Sequence, residues 1–189
     1  MIDTDALYLT HYCHPNCEPL KNIMRLPRAD AFAAACELAR LNENTTAFYR
    51  FADFENYYPR RMEADALLRA RFAALGFAPA QAHPLSFVLT ESDYLKKWFG
   101  GGAETRVPLD GIPENCVSFT YGDSMGVLKR NEPLRLVSKS ALLADMAAFG
   151  GTLDEYMRGI ARECYYIEAQ VWDDDCVFKL LEEAVDHPV

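Results

Sequence analysis

Positive charge is in short supply: 19 lysines and arginines stand against 28 aspartates and glutamates in 189 residues, a formal charge of −9. Affinity for nucleic acid rests largely on neutralising phosphates, so the deficit weighs against a nucleic-acid partner. Arg60, Arg61, Arg69 and Arg71 lie close together, but their spacing reads as a solvated helix face. Apolar runs of membrane-spanning length are missing, and residues 1–5 show no basic leader ahead of an apolar stretch. The expectation is a cytoplasmic protein with no membrane partner. Neither a glycine-rich dinucleotide fingerprint nor a P-loop lysine motif occurs, which excludes two common ways of cradling a phosphate. Internal repeats and low-complexity linkers are also lacking, so residues 1–189 read as one domain.

Half of the residues are apolar, enough for a substantial core. Six cysteines, Cys13, Cys17, Cys36, Cys116, Cys164 and Cys176, are scattered without the pattern of a secreted scaffold, so free thiols are expected. Strands are expected at 6–12, 46–52, 84–90, 116–121, 134–137 and 165–172, with a short edge segment at 105–109, where Pro108 cannot donate to a central ladder. Helices are expected at 28–41, over the stripe Ala64, Leu67, Leu68, Phe72 up to Gly76, after a Ser92 cap, and through Leu142, Leu143, Met146 and Phe149. Two more are expected behind a Thr152–Glu155 capping box and along Val177, Leu180, Leu181 and Ala184. Residues 53–59 read as an aromatic-rich loop, 122–124 as a tight polar turn, and 186–189 as a frayed end. Strands and helices intermix without the strict alternation of a doubly wound sheet. The fold class is therefore α+β, with a mixed or antiparallel sheet flanked by helices.

The strand at 165–172 carries the first candidate for chemistry. Its alternation places Tyr166, Glu168 and Gln170 on one face and Ile167, Ala169 and Val171 on the other. A carboxylate on a buried strand costs several kcal/mol unless something pairs with it or uses it. Glu168 thus either meets an arginine or solvent, or faces a cleft. Cys13, His14 and Cys17 offer ligand types that zinc accepts, but no second paired spacing completes a set of four, and no metal is expected. A cysteine nucleophile beside His11 or His14 is chemically possible, although neighbours in sequence seldom form such a pair.

Three patches share a family resemblance. Residues 7–12, followed by Asn16 and the run 19–24, resemble the opening of ADP-ribosyltransferase-like folds, particularly DNA-targeting toxins of the DarT type. Residues 112–124 are similar to the later strand and polar turn of that family, and 166–171 to its C-terminal strand with the catalytic glutamate. The resemblance implies that Glu168 acts on NAD, and that Tyr8, Thr10, His11, Asn16 and Arg50 help to bind it. Tyr8 stands where the family carries a histidine, Asn16 is displaced by Cys13-His14-Pro15, and Arg50 is the candidate for the activating arginine. Cleavage of the nicotinamide–ribose bond builds positive charge on the ribose, which a carboxylate stabilises. The implied acceptor is an unknown protein or small molecule. The rival reading is a non-catalytic binding or interaction protein on an α+β scaffold, with Phe48, Tyr49, Phe51, Phe54, Tyr57, Tyr58, Trp98 and Phe99 as its recognition surface.

Overall fold

The architecture comes from a computed structural model that describes residues 2–41, 49–130 and 132–186. The strands are β1 (Tyr8–Cys13), β2 (Leu85–Leu89), β3 (Ala103–Pro108), β4 (Val117–Tyr121), β5 (Leu136–Ser138) and β6 (Ile167–Val171). Helices α1 (Arg28–Leu41), α2 (Tyr49–Ala52) and α3 (Phe54–Ala74) lie between β1 and β2, and α4 (Asp93–Trp98) follows β2. Next come α5 (Ser124–Lys129), α6 (Lys139–Phe149), α7 (Leu153–Glu163) and α8 (Asp174–Asp186). The strands form one antiparallel sheet in the order β3-β1-β2-β6-β4-β5. The fold is α+β. The proline-bearing strand β3 lies on an edge, where the missing donor of Pro108 costs no ladder bond.

One face of the sheet carries the main core. Leu9, Phe87, Val107, Phe119, Ile167, Ala169 and Val171 point into it, and Leu142, Met146, Tyr156, Ile160 and Val177 cover them from α6, α7 and α8. Each fully buried side chain of this size contributes about 2–3 kcal/mol. The capping box at Thr152 and Glu155 forms in both directions and fixes the start of α7. Ser92 caps α4 through the Leu95 amide, and Gly76 and Gly150 take the left-handed backbone after α3 and α6.

Two expectations fail, both between α1 and α3. Tyr49–Ala52 is helical, not part of a strand; the remainder of the expected strand, with Phe48, lies outside the described residues, as do 187–189 of the expected frayed end. The expected loop at 53–59 is the first part of α3, which runs through Pro59. Packing overrides the local break here. Phe54, Tyr57, Tyr58, Arg61, Asp65, Leu68 and Phe72 recur at intervals of three and four, and Phe54 packs on Phe32 of α1 with ring centroids 5.0 Å apart.

Candidate functional site

The second face of the sheet is polar, and Glu168 sits at its middle. Register places Thr10, Val88, Glu168 and Thr120 in one row across β1, β2, β6 and β4. One strand separates Thr10 from Glu168, roughly 10 Å of backbone at the usual strand spacing. The next row brings Ser86, Gln170 and Ser118 to the same side. The alternation read from sequence holds, but the polar side does not open into a cleft: Glu168 is 6% exposed, and Ser118, Thr120 and Gln170 are fully buried.

Buried polar groups need partners, and here the partners form a chain with one direction. Trp172 Nε1 donates to Ser118 Oγ at 2.9 Å, and Ser118 Oγ donates to Gln170 Oε1 at 2.9 Å. Gln170 Nε2 then donates to Thr120 Oγ1 at 3.0 Å. The Thr120 hydroxyl is shared between the Gly122 carbonyl at 3.2 Å and Glu168 Oε2 at 3.4 Å. The Ser124 amide donates to the same carboxylate oxygen at 2.8 Å. Indole N–H can only donate, so the chain starts at Trp172 and can end only on acceptors, a carboxylate among them. The Ser124 hydroxyl is buried and meets no partner at hydrogen-bond geometry, although it stands near enough to help hold the Glu168 charge.

Charge surrounds this acid without locking to it. Burial, and then Asp123, push the Glu168 carboxyl above the ordinary carboxylate range, while Arg61 and the Ser124 amide work against them. Arg61 comes from α3, far from residue 168 in sequence. It is 8% exposed, so the reading of a solvated arginine face fails at this residue. Its Nε lies 2.9 Å from Oδ1 of the fully buried Asp65, whose other oxygen lies 2.7 Å from Nδ1 of His83. The signal was in the sequence: Arg61 and Asp65 are charges in register with the apolar stripe of α3.

The residues predicted for cofactor binding divide. Arg50 reaches the site's margin: its guanidinium lies 3.9 Å from Asp123 and over the rings of Trp98 and Tyr57, with centroids at 5.5 and 5.9 Å. Thr10 is on the right face but fully buried, and its hydroxyl donates to the Thr90 carbonyl at 2.5 Å. That bond holds Thr90 at φ 58°, an outlier for a β-branched residue, where the chain turns back to α4. Tyr8 is on the same side, under the Arg106 guanidinium, with the centroid at 5.1 Å. His11 points to the opposite face: Leu20 N–H donates to Nε2, which leaves Nδ1 to donate to the Ser86 carbonyl. It is a satisfied histidine, and burial lowers its pKa. Asn16 lies in the exposed turn after β1, where its backbone N–H donates to His14 Nδ1.

Tyr166 borders Glu168 on the site side, and burial first, then Asp123 and Glu168, drive its phenol far above the ordinary value. Among the described residues no group of three or more His, Cys, Asp or Glu side chains is placed to hold a metal ion. The Cys13 thiol points to the Cys17 carbonyl, and burial, with Cys13 beside it, pushes Cys17 up to about 11, far from a resting thiolate. No helix among the described residues is long and apolar enough to cross a membrane. Compared with family models, curated proteins and solved structures, the chain gives no match.

Proposed function

We propose that the chain is an ADP-ribosyltransferase-like protein that takes NAD as its substrate, with Glu168 as the acid that stabilises the ribose cation. The observation that carries this reading is the buried carboxylate, central in the sheet, with its pKa raised and donors directed at it. Such a group is expensive to keep in a core and well suited to proton or charge work near neutrality. The Arg50 guanidinium and the rings of Trp98 and Tyr57 stand at the margin of the same face, where a diphosphate and a flat base would find partners. Of the residues named from the resemblance, Arg50, Thr10 and Tyr8 support the reading by sharing the Glu168 face. His11 and Asn16 do not.

The acceptor in this reading is a protein or a small molecule, given the acidic surface. The test is incubation with NAD labelled in the nicotinamide. Nicotinamide release and thermal stabilisation are expected, with release lost in Glu168→Gln. If neither signal appears, the enzyme reading falls. The rival, a non-catalytic binding protein on this scaffold, is favoured by one observation, the surface stack of Tyr94 on Tyr165 with ring centroids 5.4 Å apart. Of the eight aromatic residues suggested for that role, Phe51, Phe54, Tyr57 and Tyr58 instead pack around α1 and α3, and Phe99 packs beside Tyr12, Val88 and Tyr166.

A further inference from the structure

We infer that the concavity on the outer flank of α3 is a second binding site, separate from Glu168, whose ligand is a small carboxylic acid with an apolar body and a hydroxyl group. It owes nothing to NAD and stands or falls apart from the transferase reading. The concavity measures ≈ 540 Å³, inside the range of about 300–1,000 Å³ that small-molecule sites occupy. Its apolar walls are Met62, Ala66, Ala70 and Ala73 of α3 with Phe77 and Pro79 from the segment that leads to β2. Small side chains let a ligand lie close against the helix, but they do not orient it. Arg69 and His83, in the same walls, can.

His83 is restrained from behind at both ring and backbone. Its Nδ1 lies 2.7 Å from Oδ2 of the fully buried Asp65, whose Oδ1 lies 2.9 Å from Arg61 Nε. Arg25 Nε donates to the His83 carbonyl at 2.7 Å, and the same guanidinium donates to Asp174 at 3.0 Å, which ties this backbone to the start of α8. In its pair with His83 the carboxylate accepts, so Nδ1 carries a hydrogen whatever the charge on the ring, and Nε2 is the polar atom left for a ligand. Among the described residues nothing bonds to Nε2, and nothing pairs with the Arg69 guanidinium. Groups held for binding are supported in this way, whereas a well-packed apolar pair would commonly serve the fold as well as Asp65 and His83 do. The ligand's chemistry follows from the two free groups. The walls hold one arginine and no aspartate or glutamate, in a chain of formal charge −9, so the site complements an anion. A guanidinium matches a carboxylate in charge and in shape. A hydroxyl suits Nε2 in either form of the ring, because it both donates and accepts. No serine, threonine or cysteine stands among the described walls, so the site binds and does not form a covalent acyl intermediate.

The experiment titrates the full chain with 3-hydroxydecanoate and with decanoate by calorimetry, below the concentrations at which either forms micelles. The wild type should bind both saturably, and the hydroxylated acid about five- to tenfold more tightly. Arg69→Gln, an exposed change, should weaken both by about tenfold. Ala70→Leu, which fills the concavity with a residue that helices accept, should weaken both as well. His83→Asn keeps an amide N–H where Nδ1 stood, for Asp65, and deletes Nε2. It should weaken 3-hydroxydecanoate alone, to the level of decanoate, a selective loss that a merely structural histidine would not produce. Should His83→Asn not fold, the His83 Nε2 resonance of the wild type decides in its place, moving with 3-hydroxydecanoate and not with decanoate. Absence of saturable binding, equal affinity for the two acids, unmoved affinities in Arg69→Gln or Ala70→Leu, or an equal loss of both acids in His83→Asn overturns the proposal. Silence in the NAD assay with these affinities present removes the transferase reading and leaves this one; a chain that cleaves NAD and binds neither acid does the reverse.

Discussion

The two faces of the sheet are built from the same strands and solve different problems. Under α6, α7 and α8, the inward positions of β4 and β6 are Val117, Phe119, Ile167, Ala169 and Val171, held by contact area alone. Under α3, the inward positions of the same strands are Ser118, Thr120, Glu168 and Gln170, held by hydrogen bonds that each need a particular donor. Apolar burial is non-directional, so the first face tolerates changes of shape and fails in proportion to volume lost. A buried polar network is satisfied only in one arrangement, and a half-satisfied one is worse than an apolar core. Selection for stability alone favours the first kind of face. The second is where a function would be sought.

The largest effect expected is on the apolar side. Phe119→Ala removes a fully buried ring and should destabilise the protein by about 3–5 kcal/mol in denaturant unfolding, with the Glu168 titration left in place. On the polar side, Gln170→Leu preserves approximate volume but strands the Ser118 hydroxyl and deprives Thr120 of a donor, at a cost of about 1–3 kcal/mol. Equal stability of the two variants would blur the contrast between the faces. A stabilised Gln170→Leu would sharpen it, because the relay would then be kept at the expense of stability.

Much of this contrast was legible in the sequence. Alternation about Glu168 assigned the faces of β6 correctly, because the period of a strand is rigid. The helix at 28–41 and the Thr152 capping box could be read because their signals are local. What failed was long-range or hidden by a strong local cue. Pro59 reads as a break and concealed the stripe from Phe54 to Phe72, and with it the inward pair Arg61 and Asp65. Thr10 and His11 are adjacent in sequence and share one motif, yet a strand turns them to opposite faces. Which of the two faces held Glu168 depended on strand order, β1 reaching β6 only through β2, and nothing in either segment states that order. The partners of Glu168 lie on α3 and ahead of α5, and no spacing near residue 168 points to them.

The smallest expected effect is the most telling for Glu168. In Glu168→Gln the volume is kept, a side-chain oxygen still accepts from the Ser124 amide, and Arg61 retains Asp65. What disappears is an acid whose pKa is raised by burial and by Asp123. Such an acid holds its proton more tightly in the native state than in the unfolded chain, so unfolding releases a proton across the interval between the ordinary value, about 4.3, and the raised one. Native stability therefore declines as pH rises through that interval and gains nothing further below it. Glutamine does not titrate, so the variant should be more stable than the parent by about 1 kcal/mol at neutral pH, and the advantage should shrink as the medium approaches pH ~4. Thermal unfolding of both proteins across that range measures it. A variant that is weaker at neutral pH and equal in acid would reverse the sign. It would make the Glu168 charge a strut of the core, with its donors and Arg61 contributing more than its desolvation costs, and the polar face would then serve the fold and not a reaction.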